Sequence, residues 1–203
     1  MRMERLKGSS LVALIILMSL CTSCRHVVIP RPKGYFRIDL PEKNYVKFND
    51  QADSKNNMPF SFEYPSYGNL SFNVDNRNEP GWFNIEFPRY KARIYLTYKD
   101  IDNNFDGLME QTYKMNVKNH ISKADAIDEK VFNNQVEKVY GILYDLKGNT
   151  ASAVQFYVTD STRHYLRGSL YFSAEPDADS LAPVIGFFRD DIIHLIETVK
   201  WKK

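Results

Sequence analysis

Residues 152–172 read Ser152-Ala153-Val154-Gln155-Phe156-Tyr157-Val158-Thr159-Asp160-Ser161-Thr162-Arg163-His164-Tyr165-Leu166-Arg167-Gly168-Ser169-Leu170-Tyr171-Phe172. Val154, Phe156 and Val158 alternate with Gln155, Tyr157 and Thr159, the two-residue period of a strand that shows different chemistry to its two sides. Asp160-Ser161-Thr162-Arg163 is short and polar and made of residues that bond locally to their own backbone, so it reads as a hairpin turn into a second strand, His164 to Phe172. Immediately upstream, a strand from Val136 to Leu146 reaches this hairpin through Lys147-Gly148-Asn149-Thr150. Three consecutive strands joined by tight turns predict an antiparallel sheet.

The same period recurs nearer the N-terminus. Phe60 to Tyr64, Trp82 to Phe87 and Ala92 to Tyr98 alternate, Pro65 and Pro88 end the first two, and Asp75-Asn76-Arg77-Asn78-Glu79-Pro80-Gly81 is a turn-forming loop. After Tyr98 the period lengthens. Phe105, Leu108, Met109, Thr112 and Met115 share one helical face and predict a helix from about Asn104 to Ile121, followed by a short helical turn at Ala124-Asp125-Ala126-Ile127. The chain closes with Leu181, Val184, Ile185, Phe188, Ile192, Leu195, Ile196 and Val199 at helical spacing, with Asp179 or Ser180 as cap, Pro183 in the first turn, and Trp201 placed to pin the end. The fold class is α+β: a single domain with a largely antiparallel sheet of about six strands and two main helices. This element order resembles the Mog1/PsbP-type sandwich.

Residues 1–57 have a different character. Arg2, Arg5 and Lys7 precede an apolar run from Leu11 to Leu20, about half the length of a bilayer span, and small residues then lead to a cysteine. Cys24 follows Ser23 and Thr22 whereas Cys21 follows bulky Leu20, so residues 1–23 read as a lipoprotein signal peptide and Cys24 as the lipidated residue. The competing reading is an ordinary secretory leader with two incidental cysteines. With Cys24 blocked by a thioether and the leader removed, no disulfide can form. Residues 24–57, with Pro30, Pro32 and Pro41, form a tether or an extended strap, and Tyr35, Phe36, Ile38 and Leu40 argue that part of it docks on the domain at 58–203. Arg25, His26, Val27, Val28 and Ile29 include no acidic cluster of the kind that follows the cysteine in some surface-displayed lipoproteins, which favours a periplasm-facing anchor.

Charge removes one class of partner. The formal net charge is +2, and Arg2, Glu4, Arg5 and Lys7 of the leader account for it, so the remainder is near neutral and carries no footprint for nucleic acid. Aromatic residues make up 14% of the chain, which suits strands and contact surfaces rather than disorder.

Catalytic patterns are weak. His26, His120, His164 and His194 show no metal-ligand spacing, and there is no GxSxG, P-loop or HExxH, so neither metal nor cofactor is expected. Asp160, Ser161 and His164 crowd one turn, where triad geometry is hard to reach and local turn bonding is the simpler role. Asp100, Asp102, Asn103, Asn104 and Asp106 suggest a calcium loop, but the sixth position is Phe105 and the twelfth Gln111, so a solvated helix cap fits better. More telling is the row Arg93, Tyr95, Thr97, Gln155, Tyr157, Arg167, Ser169 and Tyr171 on the sheet's other side. Arg93, Tyr95, Tyr157, Arg167 and Tyr171 are of the types that dominate interface hot spots, so they form a candidate partner-contact face. A helix lying over them as a mixed core is an equal alternative.

Particular strings narrow the choice further. Trp82-Phe83-Asn84-Ile85-Glu86-Phe87-Pro88, Ile94-Tyr95-Leu96-Thr97-Tyr98-Lys99, Asn103-Asn104-Phe105-Asp106, Val139-Tyr140-Gly141-Ile142-Leu143-Tyr144, Gln155 to Thr162 and Gly168-Ser169-Leu170-Tyr171-Phe172 resemble the gliding motility lipoprotein GldD family of the Bacteroidetes. The Pro-rich start and the Glu197-Thr198-Val199-Lys200-Trp201 ending fit as well. The resemblance implies a cell-envelope lipoprotein needed for gliding, associated with the type IX secretion system and with other envelope proteins as partners. It transfers Cys24 and no catalytic residue. An assembly component is therefore the expected role, ahead of a lipid-anchored ligand-binding module whose pocket the tyrosines line, and ahead of an enzyme.

Overall fold

Alternation along the strands places apolar and polar residues on opposite faces of one sheet, and that separation organises the rest of the molecule. The computed structural model describes residues 38–48, 58–72 and 81–202. Cys24, the leader, Tyr35, Phe36 and residues 75–80 of the turn-forming loop lie outside the described residues. The elements run β1 (Tyr45–Phe48), β2 (Phe60–Pro65), β3 (Asn69–Ser71), β4 (Trp82–Phe87), β5 (Ala92–Asp100), α1 (Phe105–Tyr113), β6 (Ala126–Asn134), β7 (Val139–Lys147), β8 (Ser152–Thr159), β9 (His164–Phe172), α2 (Ala178–Thr198) and β10 (Lys200–Trp201). Seven strands form an antiparallel sheet in the order β3-β4-β5-β9-β8-β7-β6, and β1-β2-β10 form a second, three-stranded sheet.

The inner face of the large sheet carries the core. Phe83, Ile85, Ile94, Leu96, Val154, Phe156, Val158, Leu166 and Leu170 are buried there together with Val184, Phe188, Ile192 and Leu195 of α2. Phe87 and Phe188 meet with ring centroids 4.5 Å apart, and Phe48, Phe60 and Phe62 of the small sheet stack toward Phe83. Each fully buried side chain of this size stabilises the fold by about 1.5–3 kcal/mol. Gly168 lets β9 lie close beneath Phe156, since a Cβ there would sit 2.2 Å from Phe156 Cε1.

Several elements differ from the sequence expectation. The strand Val136 to Leu146 begins at Val139, because 135–138 is a turn in which Asn134 Oδ1 accepts from the Val136 and Glu137 N–H groups and Lys138 adopts φ +52°. The short helical turn expected at 124–127 does not form: β6 begins at Ala126 and pairs with β7 over nine positions. The helix from Asn104 ends its α-form at Tyr113 and continues as a π-turn over Lys114–Lys118, with the Asn119 N–H reaching back to Lys114 O at 3.0 Å. In α2 the cap is Asp177, whose carboxylate accepts from the Ser180 N–H, so Pro183 lies in the helix interior rather than the first turn.

The segment expected as a strap contributes β1, and its neighbours fasten it to α2. Asp191, fully buried on α2, accepts from Tyr67 Oη at 2.5 Å, Tyr45 Oη at 2.9 Å and Lys43 Nζ at 3.0 Å. Tyr45 also stacks on His194 at 3.7 Å, and His194 Nε2 meets Glu63 Oε2 at 2.7 Å. Charged residues are rarely fully buried without partners, and here the partners come from two separate segments, the strap (Lys43 and Tyr45) and the turn after β2 (Tyr67). Just past the C-terminus of α2, Trp201 pairs with β2, donates from Nε1 to Lys138 O and stacks on His164.

Candidate functional site

The outer face of the large sheet is built in rungs by strand register. Trp82, Thr97, Arg167, Tyr157 and Ile142 lie side by side across β4, β5, β9, β8 and β7, and Asn84, Tyr95, Ser169, Gln155 and Tyr144 form the adjacent rung. Lys99 opposite Tyr165 and Arg93 opposite Tyr171 extend the face at its two ends. Helix α1 and the π-turn lie over the middle. Leu108 packs in a second apolar cluster with Tyr144, Leu146, Tyr157 and Tyr165, and Thr112 Oγ1 makes a close hydrogen bond to the Tyr165 hydroxyl.

The five sequence-singled residues therefore separate into two groups. Tyr157 is buried and stacks with Tyr165 at 6.0 Å, and burial pushes its hydroxyl pKa up, with Glu129 adding to the effect. Arg167 is half-buried beneath the π-turn. Its Nε donates to Asn116 Oδ1 at 3.3 Å, Nη1 points to Met115 Sδ at 3.3 Å, and Nη2 reaches Gln155 Oε1 at 3.4 Å and Ser169 Oγ at 3.5 Å. The other three form a half-exposed corner. Arg93 pairs with Glu86 at 3.3 Å and donates to Tyr95 Oη at 3.0 Å, while Tyr95 meets Tyr171 edge-on at 5.4 Å.

Between the covered and open parts lies a cavity of about 210 Å³, lined by Trp82, Thr97 and Lys99 from β4 and β5, Leu108, Gln111, Thr112 and Met115 from above, and Tyr165 and Arg167 at its floor. No carboxylate among the described residues stands at ion-pair distance from Arg167 or Lys99. Burial pulls the Arg167 guanidinium below its ordinary pKa, opposed by Tyr165 and Tyr171, although a guanidinium stays charged throughout the accessible range. Asn116, fully buried, accepts from Arg167 through Oδ1 while its Nδ2 finds no acceptor. Sequence reasoning missed Asn116, and it read Met115 as part of an apolar helical face rather than as a neighbour of Arg167. Both fall in a helical pattern that gives no sign of the π-turn, and such turns occur often at functional sites.

The weaker chemical patterns are not assembled into reactive groups. Asp160 Oδ1 accepts from the backbone N–H groups of Thr162, Arg163 and His164. Burial pushes the Asp160 carboxyl up, but these bonds outweigh it and hold its pKa below the ordinary value. His164 turns away from Ser161, with Nδ1 at 2.8 Å from Tyr98 Oη and its ring over Trp201. The Asp100–Asp106 cluster is a helix entry in which Asn104 Oδ1 accepts from the Asp102 N–H, and no group of three His, Cys, Asp or Glu suited to a metal occurs among the described residues.

Comparison with known proteins adds three findings. No curated protein matches the chain. Among solved structures, the solution structure of cyanobacterial PsbP (CyanoP) from Synechocystis sp. PCC 6803 is similar, with a TM-score of 0.45 at 12% identity over 88% of this chain and 97% of that one. Residues 25–201 match the family described as gliding motility lipoprotein GldD, a span that takes in the strap, both sheets and both helices. The chain belongs to the gliding motility lipoprotein GldD family.

Proposed function

We propose that this protein is a non-catalytic accessory or assembly component of the gliding and type IX secretion apparatus, held in the cell envelope by a lipid on Cys24 and facing the periplasm. The observation that carries this reading is the family match over residues 25–201, which begins at the residue after that cysteine. No helix among the described residues is long and apolar enough to cross a membrane, so the lipid is the means of attachment in this reading. A diacylglyceryl cysteine with an amide-linked chain exceeds the two hydrophobic signals that stable anchoring requires.

Deletion of the gene, complemented by wild type or by Cys24→Ala, tests this reading. Colony spreading and the proteins released to the medium are scored together. Loss of either, restored only by the cysteine-bearing chain, is the expected result. Normal spreading and secretion in the deletion strain overturn the proposal.

A second reading, a lipid-anchored module that binds a ligand, is favoured by one specific observation: the cavity floored by Arg167.

A further inference from the structure

Among the described residues, several cationic side chains that lie against the domain, on either face of the large sheet, have anionic partners. Lys43 has Asp191, Arg189 and Lys147 share Asp145, and Arg93 has Glu86. Arg167 has only neutral acceptors, at 3.3 to 3.5 Å, beyond the 2.7–3.2 Å range of good N–H···O bonds. Its Nη1 meets nothing better than a thioether, which is a weak acceptor. A half-buried guanidinium without a counter-charge costs stability, so its retention beside a cavity calls for a function.

The geometry points to a carboxylate-binding site in this cavity, in which the Arg167 guanidinium takes the carboxylate and Trp82, Leu108 and Met115 enclose an apolar stem. Arginine's planar fork matches the two oxygens of a carboxylate, and a low-dielectric floor strengthens that pairing relative to water. Lys99 on the cavity wall adds a second positive charge, and the Thr97 side chain, beside Arg167 in the same rung, adds a hydroxyl. The cavity, at about 210 Å³, holds about seven water volumes at about 30 Å³ each, which suits a short acid rather than a large cofactor. Two sources supply the same chemistry: a free short-chain carboxylic acid, or the acidic side chain of a docking protein. Such a site is compatible with a lipoprotein of the cell envelope whichever apparatus it serves.

Tryptophan fluorescence of the full chain in neutral detergent tests it, because Trp82 lines the cavity and Trp201 is the only other tryptophan. Three probes are titrated: hexanoate, its neutral isostere hexanamide, and an N-acetylated, C-amidated tripeptide carrying one glutamate. Saturable quenching by hexanoate, at least about tenfold weaker with hexanamide, identifies a free acid as sufficient. Quenching by the peptide alone keeps the carboxylate site and assigns its source to a protein side chain. Arg167→Met removes the charge and abolishes either response, while near-ultraviolet circular dichroism confirms the fold. Arg167→Lys keeps the charge without the fork and weakens binding by about tenfold, which provides a second test if the methionine variant fails to fold. Equal responses to hexanoate and hexanamide, carboxylate binding undiminished in both variants, or no response to either carboxylate overturns the inference.

Discussion

Asp191 and Arg167 lie on opposite sides of the large sheet, and their surroundings assign them opposite roles. The Asp191 carboxylate is closed in by two tyrosine hydroxyls and an ammonium, at 2.5 to 3.0 Å. Burial first, and then the bond to Asp191, pushes the pKa values of Tyr67 and Tyr45 far above the ordinary phenol value, so both remain donors at any physiological pH. The Arg167 guanidinium meets only amide, hydroxyl and thioether acceptors at longer range. A buried charge completed by its own chain holds structure together. One left incomplete beside a cavity is available to something outside the chain.

The largest effect expected from this contrast is at Asp191. Asp191→Ala leaves the Tyr45 and Tyr67 hydroxyls without their shared acceptor, while Lys43 keeps the Phe187 carbonyl and Asp190, so a loss of about 2–5 kcal/mol is expected, read as a lower urea midpoint. A loss below about 1 kcal/mol, the worth of an exposed ion pair, breaks the comparison by showing that the latch is dispensable.

Neighbouring residues on β9 sharpen it. Gly168→Ala pushes a methyl group against Phe156 on the inner face, where the space is closed, and should cost about 1–3 kcal/mol by overpacking. Arg167→Met, one position earlier and on the outer face, removes a desolvated charge but leaves Asn116 without its donor. These opposing terms should keep stability within about 1 kcal/mol of wild type in the same urea assay. If the arginine variant loses as much as the glycine variant, Arg167 is a structural residue and the difference between the faces disappears.

The inner face was readable because period alone encodes it. Val154, Phe156 and Val158 alternate, Phe188, Ile192 and Leu195 recur, and both patterns end in the same core. Asp191 was readable in principle. It stands in the apolar stripe, three residues after Phe188 and four before Leu195, and a carboxylate at such a position signals a buried partner. β6 was not readable, because only Ala126, Ile127, Val131 and Phe132 of its nine residues are apolar and they do not alternate: it sits at the sheet's edge with little to bury, and its pairing with β7 makes it a strand. β1, β3 and β10 have at most four residues each, too few to show a period. The outer row held two readings open, and the structure divides it. Tyr157, Gln155 and Ser169 are covered by the helical layer, whereas Arg93, Tyr95 and Tyr171 stay half-exposed at the corner. That division depends on a π-turn at 114–118, which no spacing of apolar residues announces.

The smallest effect concerns the hydrogen-bond chain that leads from Arg167 toward solvent. Gln155 accepts from Arg167 through Oε1 and donates from Nε2 to His120 Nε2 at 3.0 Å, so the imidazole must present a lone pair at that nitrogen. Burial lowers the His120 pKa below its ordinary value of 6.5, and the positive charges of Lys123 and Arg167 lower it further. A folded-state pKa below the unfolded one means that the unfolded chain binds the proton first. The contribution of neutral His120 is complete above about pH 6.5 and is lost as pH falls from there to the folded value. His120→Gln cannot titrate, so the wild-type-minus-variant difference in thermal midpoint should shrink across that window and stay flat above it. A difference that grows as the solution is acidified would mean that His120 is better paired when charged. The Gln155 amide would then be turned the other way, with its carbonyl toward His120 and its amide toward Arg167, and Arg167 would lose even the neutral acceptor that now occupies its Nη2.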